Sequence, residues 1–274
     1  MSTENNQNNY KAMWQDVGSD AGFGYIDIKF KPTYRIGLTN HVREEAIYKF
    51  LAPKSSDKVL DVGCASGRQI FKLANKINEG YGVDIAESFI KQADRYKEIS
   101  KLNNTHFAVA VIEELPYQDN FFDKVICGEV LEHVFDKDLA LSELRRILKP
   151  EGSLIITVPN LNADGTWWGR LLRLLGLRKF TPMTEFSQSE LKKHGDSHVR
   201  EFSGKTMTNW LSNQGFKVVK ISSASFVDGP YMDILLKVPL HIGPLRQLII
   251  WLEKALTKTG LLFGRHLVVE AQKI

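Results

Sequence analysis

The chain has no long apolar run. No uncharged stretch reaches the ~20 residues needed to span a bilayer, which excludes a helix crossing the membrane. Cysteine is scarce, with Cys64 and Cys127 the only two. They form no Cys-x-x-Cys pair and match no zinc framework, and so few thiols suit a reducing compartment. No charge sign dominates either. Thirty-six Lys and Arg stand against 32 Asp and Glu, for a net charge of +4, which gives no ground for nucleic-acid binding. An apolar leader is missing as well: Met1 to Asn9 is polar and Asn-rich, unlike a signal peptide. From these absences we expect a cytoplasmic protein with a disordered tail over residues 1–9.

What is present is an ordinary globular mix. The 274 residues, 43% hydrophobic and 25% charged, suit one large domain or a domain with a subdomain. No internal repeat is visible. Helical spacing begins near Thr39, with Val42, Ala46, Ile47, Phe50 and Leu51 on one face, and Pro53 ends it. Strand candidates then alternate with helices. The strands are Lys58–Val62, Tyr81–Asp84, Thr105–Val109, Lys124–Cys127 and Ser153–Val158; the helices run over 66–77, 86–99 and 136–148. Such alternation predicts an α/β fold with a parallel sheet covered by helices. The rhythm breaks after Pro159 and resumes around Phe216–Ile221. An apolar helix is expected from Leu245 to about Lys258, and a last strand from His266 to Ala271.

Val59-Leu60-Asp61-Val62-Gly63-Cys64-Ala65-Ser66-Gly67 reads as a buried strand, a tight turn and a helix start. Gly63 and Gly67 allow a sharp turn and a close approach to a ligand. Asp84 ends the next strand, where a carboxylate can accept hydrogen bonds from both ribose hydroxyls of a nucleoside. Ile85 is then placed to pack on the adenine. A glycine turn alone is weak, since such turns need glycine anyway, and Asp84 alone could be a helix cap. In order and at this spacing they point to a nucleotide-type site. A nicotinamide dinucleotide fits poorly, because Ala65 and Arg68 stand where the second and third glycines of Gly-x-Gly-x-x-Gly would be.

These residues resemble class I S-adenosylmethionine-dependent methyltransferases. Val59–Gly67 looks like their first motif and Asp84 like their ribose-binding acid. Glu113–Tyr117, Phe121–Ile126 and Leu148–Ser153 are similar to the segments around their third, fourth and fifth strands. A narrower resemblance is to the ubiquinone biosynthesis O-methyltransferases. It rests on Cys127-Gly128-Glu129-Val130-Leu131-Glu132-His133-Val134 and on Phe30-Lys31-Pro32-Thr33-Tyr34-Arg35-Ile36. The resemblance implies a doubly wound, mostly parallel seven-stranded Rossmann-like sheet with a lid or insertion after the fifth strand. The domain reading is a tail over 1–9, cap helices over 10–54, the cofactor-binding core over 55–160, lid and insertion over 160–265, and a closing strand over 266–274.

The implied cofactor is S-adenosylmethionine, with Arg35, Asp61, Gly63, Gly67, Asp84, Ile85, Ile112, Glu113 and Val130 around it. Arg35 is suited to grip the cofactor's carboxylate in bidentate fashion. Two departures stand out: Ala65 where the family has Gly, and Val111 where relatives carry an adenine-binding Asp. The adenine contact then falls to Ile112 or Glu113.

The implied reaction is methyl transfer to a small-molecule or lipid-like acceptor, on oxygen, for which Glu129 and His133 are the general-base candidates. His133 reads somewhat better as a packing residue than as a base, and Glu132 reads as a charged helix-start residue favoured by the dipole. The alternative is a methyltransferase-like protein that binds a cofactor or partner without catalysis. Nucleic-acid bases are disfavoured as acceptors, because Gly128-Glu129-Val130-Leu131 replaces the Asp/Asn-Pro-Pro-aromatic stretch such enzymes carry. His194 and His198 have helical spacing, but Gly195 interrupts it and no third ligand is evident, so no metal is expected. His198 reads better as a substrate-side residue. Finally, 167–180 is aromatic, Leu-rich and basic, and Leu245, Leu248, Ile249, Leu252 and Leu256 make a second stripe. Both segments read as a lid or as peripheral membrane contacts.

Overall fold

A computed structural model describes residues 35–161, 202–226, 239, 241–260, 262 and 264–274. The segment 167–180, with His194 and His198, lies outside the described residues. So does all of Phe30–Ile36 except the backbone of Arg35 and Ile36.

Helix α1 (Arg35–Leu51) opens the described chain, and β1 (Lys58–Val62) follows. Helix α2 (Arg68–Leu73) continues into a 3-10 turn over Ala74–Lys76, then come β2 (Glu79–Asp84), α3 (Glu87–Ser100) and β3 (Thr105–Val109). Next are β4 (Phe122–Gly128), a 3-10 turn over Leu131–His133, α4 (Lys137–Ile147) and β5 (Leu148–Pro159). The described chain closes with α5 (Gly204–Asn213), β6 (Phe216–Ala224), α6 (Gly243–Lys258) and β7 (His266–Lys273).

The seven strands form one sheet in the order β3-β2-β1-β4-β5-β7-β6. The first five run parallel, and β7 runs antiparallel to both β5 and β6. This is the doubly wound, mostly parallel architecture expected. The chain steps outward from β1 to β2 and β3, then returns to place β4 on the other side of β1. That reversal leaves a crevice at the C-terminal ends of β1 and β4, the usual ligand position in such sheets.

Both faces of the sheet are covered, and the strand residues divide between them with period two. Leu60, Val62, Val125, Cys127, Leu154 and Ile156 pack with Ala140, Leu141, Leu144 and Ile147 of α4 and Met207 and Leu211 of α5. Val59, Ile126, Ile155 and Val268 face the other way, against Leu38, Val42, Ile47 and Phe50 of α1 and Ile70 and Leu73 of α2. Each fully buried side chain of this kind stabilises by roughly 1.5–3 kcal/mol.

Local chemistry sets the element ends. Asp136 caps α4 by accepting from Leu139 N at 2.9 Å. Ser203 and Thr206 cap α5 reciprocally, Ser203 Oγ accepting from Thr206 N at 3.2 Å and Thr206 Oγ1 accepting from Ser203 N at 2.8 Å. Two elements differ from the sequence reading. The whole of α5 was not anticipated, because Gly204, Thr206, Thr208 and Asn209 are poor helix formers. Strand β5 starts at Leu148 and not at Ser153, with Glu151 at φ 61° where the pairing with β4 shifts register.

Part of the stripe on α6 faces outward, while Ile249 packs against the core. Leu245, Leu248, Trp251 and Leu252 are 41–63% exposed, whereas Ile250, Glu253 and Thr257 are buried against the rest of the fold. Buried Glu253 accepts from Phe226 N at 2.9 Å. Among the described residues no helix is long and apolar enough to cross a membrane, and no three His, Cys, Asp or Glu gather as a metal site would require.

Candidate active site

The turn between β1 and α2 is fixed by backbone and by one carboxylate. Gly63 N and Cys64 N both donate to Val83 O, at 2.8 and 3.0 Å. Gly63 and Gly67 take φ of 71° and 79°, in the left-handed region. A Cβ on Gly63 would lie 2.4 Å from Val130 Cγ2, and one on Gly67 would lie 2.6 Å from Phe107 Cε1. The end of β4 thus presses directly on the turn. Ala65, where relatives carry Gly, also takes positive φ, 46°.

Asp84 holds this turn to β2. Its Oδ2 accepts from Ala65 N at 2.8 Å and its Oδ1 from Ala86 N at 2.9 Å. Burial raises the carboxyl above its ordinary range, opposed by the backbone N–H groups of Ala86, Ala65 and Ile85. A carboxylate can accept about four hydrogen bonds, so capacity remains for a diol. Ile85 follows directly. Ala110 N donates to Asp84 O at 3.1 Å, which brings the segment after β3, with Ile112 buried and Glu113 half-buried, to the same edge.

Asp61 sits beneath the turn and is 1% exposed. Its Oδ1 accepts from Gln69 Nε2 at 3.4 Å, and its Oδ2 is buried without a hydrogen-bond partner. Burial pushes its carboxyl well above the usual range, with the charges of Asp84 and Glu44 adding. A buried acceptor left open beside a turn that excludes a Cβ fits a ligand carrying both a cationic amine and a nucleoside diol. S-adenosylmethionine is such a ligand. Arg35 begins α1, and its side chain lies outside the described residues.

Beyond β4 the chain turns sharply. Glu129 takes φ 58°, and its N–H donates to Thr157 O at 2.8 Å. Its Oε2 is 3.2 Å from Arg43 Nη1 on α1 and 3.3 Å from His266 Nε2 at the start of β7. His133 lies on the 3-10 turn, with Nε2 3.9 Å from Glu132 Oε1. The two base candidates therefore have different neighbours, since Glu129 precedes the turn in a non-helical conformation.

Glu132 is a correction to the sequence reading. It is not an exposed helix-start charge: the residue is 5% exposed and neither carboxyl oxygen has a hydrogen-bond partner. Burial, then the nearby Glu129 charge, pushes its carboxyl up to about 9, so it is neutral at pH 7. Sequence reasoning also passed over Arg43 and His266. The one local signal for His266 is an imidazole standing immediately before the apolar run Leu267-Val268-Val269.

Comparison with known proteins follows this geometry. Residues 53–221 match the family model described as a methyltransferase domain. An uncharacterized methyltransferase of Schizosaccharomyces pombe is 37% identical over 144 residues, covering 44% of this chain and 51% of the relative. A ubiquinone/menaquinone biosynthesis C-methyltransferase of Vibrio cholerae is 33% identical over 107 residues, covering 38% and 41%. The chain thus spans about half, or less, of the length of these curated relatives. A ubiquinone biosynthesis O-methyltransferase of Coxiella burnetii is 28% identical over 198 residues, covering 72% of this chain and 78% of the relative. Among solved structures, a chain of the complex between the Haloferax volcanii Trm112 methyltransferase activator and its methyltransferase superposes with a TM-score of 0.61. It shares 16% identity and covers 96% of this chain and 97% of that one, a likeness of fold. With the family model covering more than half of its length, the chain belongs to the S-adenosylmethionine-dependent methyltransferases of the methyltransferase domain family.

Proposed function

We propose that this protein methylates a hydroxyl group on a small, lipid-like acceptor. The observation that carries the reading is Glu129: a carboxylate held by Arg43 and His266 at the C-terminal edge of the sheet, adjoining the glycine turn through Val130. A hydroxyl must lose its proton as it is methylated, and a carboxylate there can receive it. The longer match to an O-methyltransferase, set against the shorter one to a C-methyltransferase, supports the same choice.

When bound, S-adenosylmethionine supplies an electrophilic methyl on a sulfonium that leaves without needing a proton. The chain's own work is then positioning, which can supply much of the barrier reduction. Asp84 is placed to accept the ribose hydroxyls and Asp61 Oδ2 the amino group. Arg35 would hold the carboxylate, and Ile85, Ile112 and Glu113 would border the adenine. Gly63, Gly67 and Val130 shape the floor. Glu129 takes the proton. His133, buried beside Glu132, supports the turn that carries Glu129.

The outward Leu245, Leu248, Trp251 and Leu252, with Lys258 at the end of the same helix, support contact with a lipid surface, which would suit a lipid-like acceptor. Co-sedimentation with vesicles of phosphatidylglycerol and phosphatidylcholine checks this, and protein left wholly in the supernatant removes it.

The test of function is a labelled-methyl transfer screen against lipid and soluble extracts. Label is expected on oxygen in a lipid-extract product; label on carbon, or none, rejects the reading. Asp84→Ala should weaken S-adenosylmethionine binding at least about tenfold by calorimetry, since hydrogen bonds to a charged acceptor contribute roughly 1.5–3 kcal/mol. Unchanged affinity would place the ribose elsewhere.

A further inference from the structure

We propose that Glu129 and His266 share one mobile proton and together form the base for the acceptor hydroxyl, with Glu129 touching the acceptor and His266 the positioning residue behind it. This rests on the hydroxyl-methylation reading above.

The two residues meet because β7 runs backward. Its first residue, His266, pairs with Pro159, the last residue of β5, so it stands at the sheet edge where the parallel strands end. Glu129 leaves β4 at that edge, pinned to Thr157 of β5. Its positive φ is unfavourable for an L-residue, and strain of this kind persists where surrounding structure enforces it. Here the enforcement comes from both sides: Arg43 and His266 each reach Oε2. Side-chain exposure is 13% for Glu129, 17% for Arg43 and 8% for His266, so the pair is sheltered but Glu129 is reachable.

The hydrogen bonds fix which imidazole nitrogen can trade a proton. Ser225 Oγ donates to Thr39 O at 3.2 Å. The same Oγ lies 3.4 Å from His266 Nδ1. With its only proton committed to Thr39, the hydroxyl must accept from Nδ1, so Nδ1 carries hydrogen. Nε2 is then the nitrogen open to gain and lose a proton, and it faces Glu129 Oε2 at 3.3 Å. The backing is rigid: Asn160 Nδ2 donates to Gly264 O at 2.8 Å, and Arg265 N donates to Ser225 O at 3.2 Å. The charged and titratable groups near the pair include Arg43 from α1, Glu132 from the 3-10 turn and the buried Cys127 thiol of β4.

The acceptor O–H bond breaks, and its proton passes to Glu129 and on to His266 Nε2. The freed oxygen pair forms the O–CH3 bond, while the electrons of the C–S bond remain on sulfur. His266 returns the proton to water after product leaves.

The experiment uses the full chain, labelled S-adenosylmethionine and a series of phenols from unsubstituted phenol to 4-nitrophenol. Base catalysis is worth roughly 10²–10⁴-fold, so His266→Gln should lower kcat on phenol at least about tenfold at pH 7. The loss should shrink toward nothing on 4-nitrophenol, which ionises unaided. The neutral limb of the pH–rate profile should vanish, with cofactor affinity retained. A loss equal across the series, or an unchanged pH profile, overturns the proposal. Wild-type protein that methylates none of the series overturns the hydroxyl reading and this inference with it. Glu129→Gln gives a second arm that needs no acceptor: the His266 imidazole titration followed by NMR should shift, and an unmoved titration refutes the shared proton even if His266→Gln does not fold.

Discussion

At the residue scale, the site is defined by side chains and by the absence of them. Gly63 combines positive φ with a missing Cβ whose place Val130 occupies at 2.4 Å. Gly63→Ala therefore adds a left-handed penalty of about 1–2 kcal/mol to an overpacking cost of about 1–3 kcal/mol. We expect a fall in stability of about 2–5 kcal/mol by urea titration from those same terms, together with loss of S-adenosylmethionine binding. A variant as stable as the parent would show that Val130 yields freely. Glu132 makes a different prediction. Its carboxyl titrates near 9 in the fold and near 4.5 when exposed. The folded state thus binds more protons across that window, and stability falls as pH rises through it. Glu132→Gln removes the titration. Its stability curve should be flatter between pH 5 and 9, with a gain at the alkaline end worth at least one pKa unit, about 1.4 kcal/mol. Curves of equal slope would mean that Glu132 is ionised in the fold. The sequence made Gly63 and Asp84 legible because their roles depend on near neighbours in a strand-turn-helix-strand order. Glu132, Arg43 and His266 were not legible, because burial and pairing between distant segments decide what they do.

At the element scale, legibility followed periodicity. Strands β1 and β3 have the ends the pattern predicts, Lys58–Val62 and Thr105–Val109, although β1 is buried from Val59 on and β3, at the sheet edge, is mostly half-buried. Helix α5 escaped because its stability comes from its cap and from burial of Met207 and Leu211, not from propensity. That assigns an unusual share of its stability to Ser203. Ser203→Ala removes an acceptor for Thr206 N and should cost about 1 kcal/mol. Faster amide exchange confined to α5 is the expected signature; a uniform change across the sheet would mean the cap is not local. Helix α6 reads the other way. Its leucine stripe was plain in sequence, but which face packs was set by Glu253 and Thr257, two polar residues buried through hydrogen bonds that no hydropathy pattern displays.

At the scale of the whole molecule, the sheet order places the glycine turn, Glu129 and the start of β7 at one edge, although they lie far apart in the chain. Only the parallel part of that arrangement follows from strand-helix alternation; the antiparallel β7 that delivers His266 depends on how the chain returns after Pro159. The consequence is that ligand binding should stabilise the fold as a unit. At 100 times its Kd, a ligand bound only by the folded state adds about 2.7 kcal/mol. For a chain of this size that raises Tm by several degrees, at roughly 2–4 °C per kcal/mol. Asp84→Asn separates the two duties of that carboxylate. The amide retains one acceptor oxygen for two backbone donors, Ala65 N and Ala86 N, so the ligand-free protein should lose about 1 kcal/mol. The increment from S-adenosylmethionine should shrink as well, because the ribose would meet an amide in place of a carboxylate. Calorimetric melts with and without cofactor read both quantities. If the ligand-free Tm falls and the increment stays whole, Asp84 only braces the turn; if both fall, the same carboxylate joins β2 to the turn and the turn to its ligand.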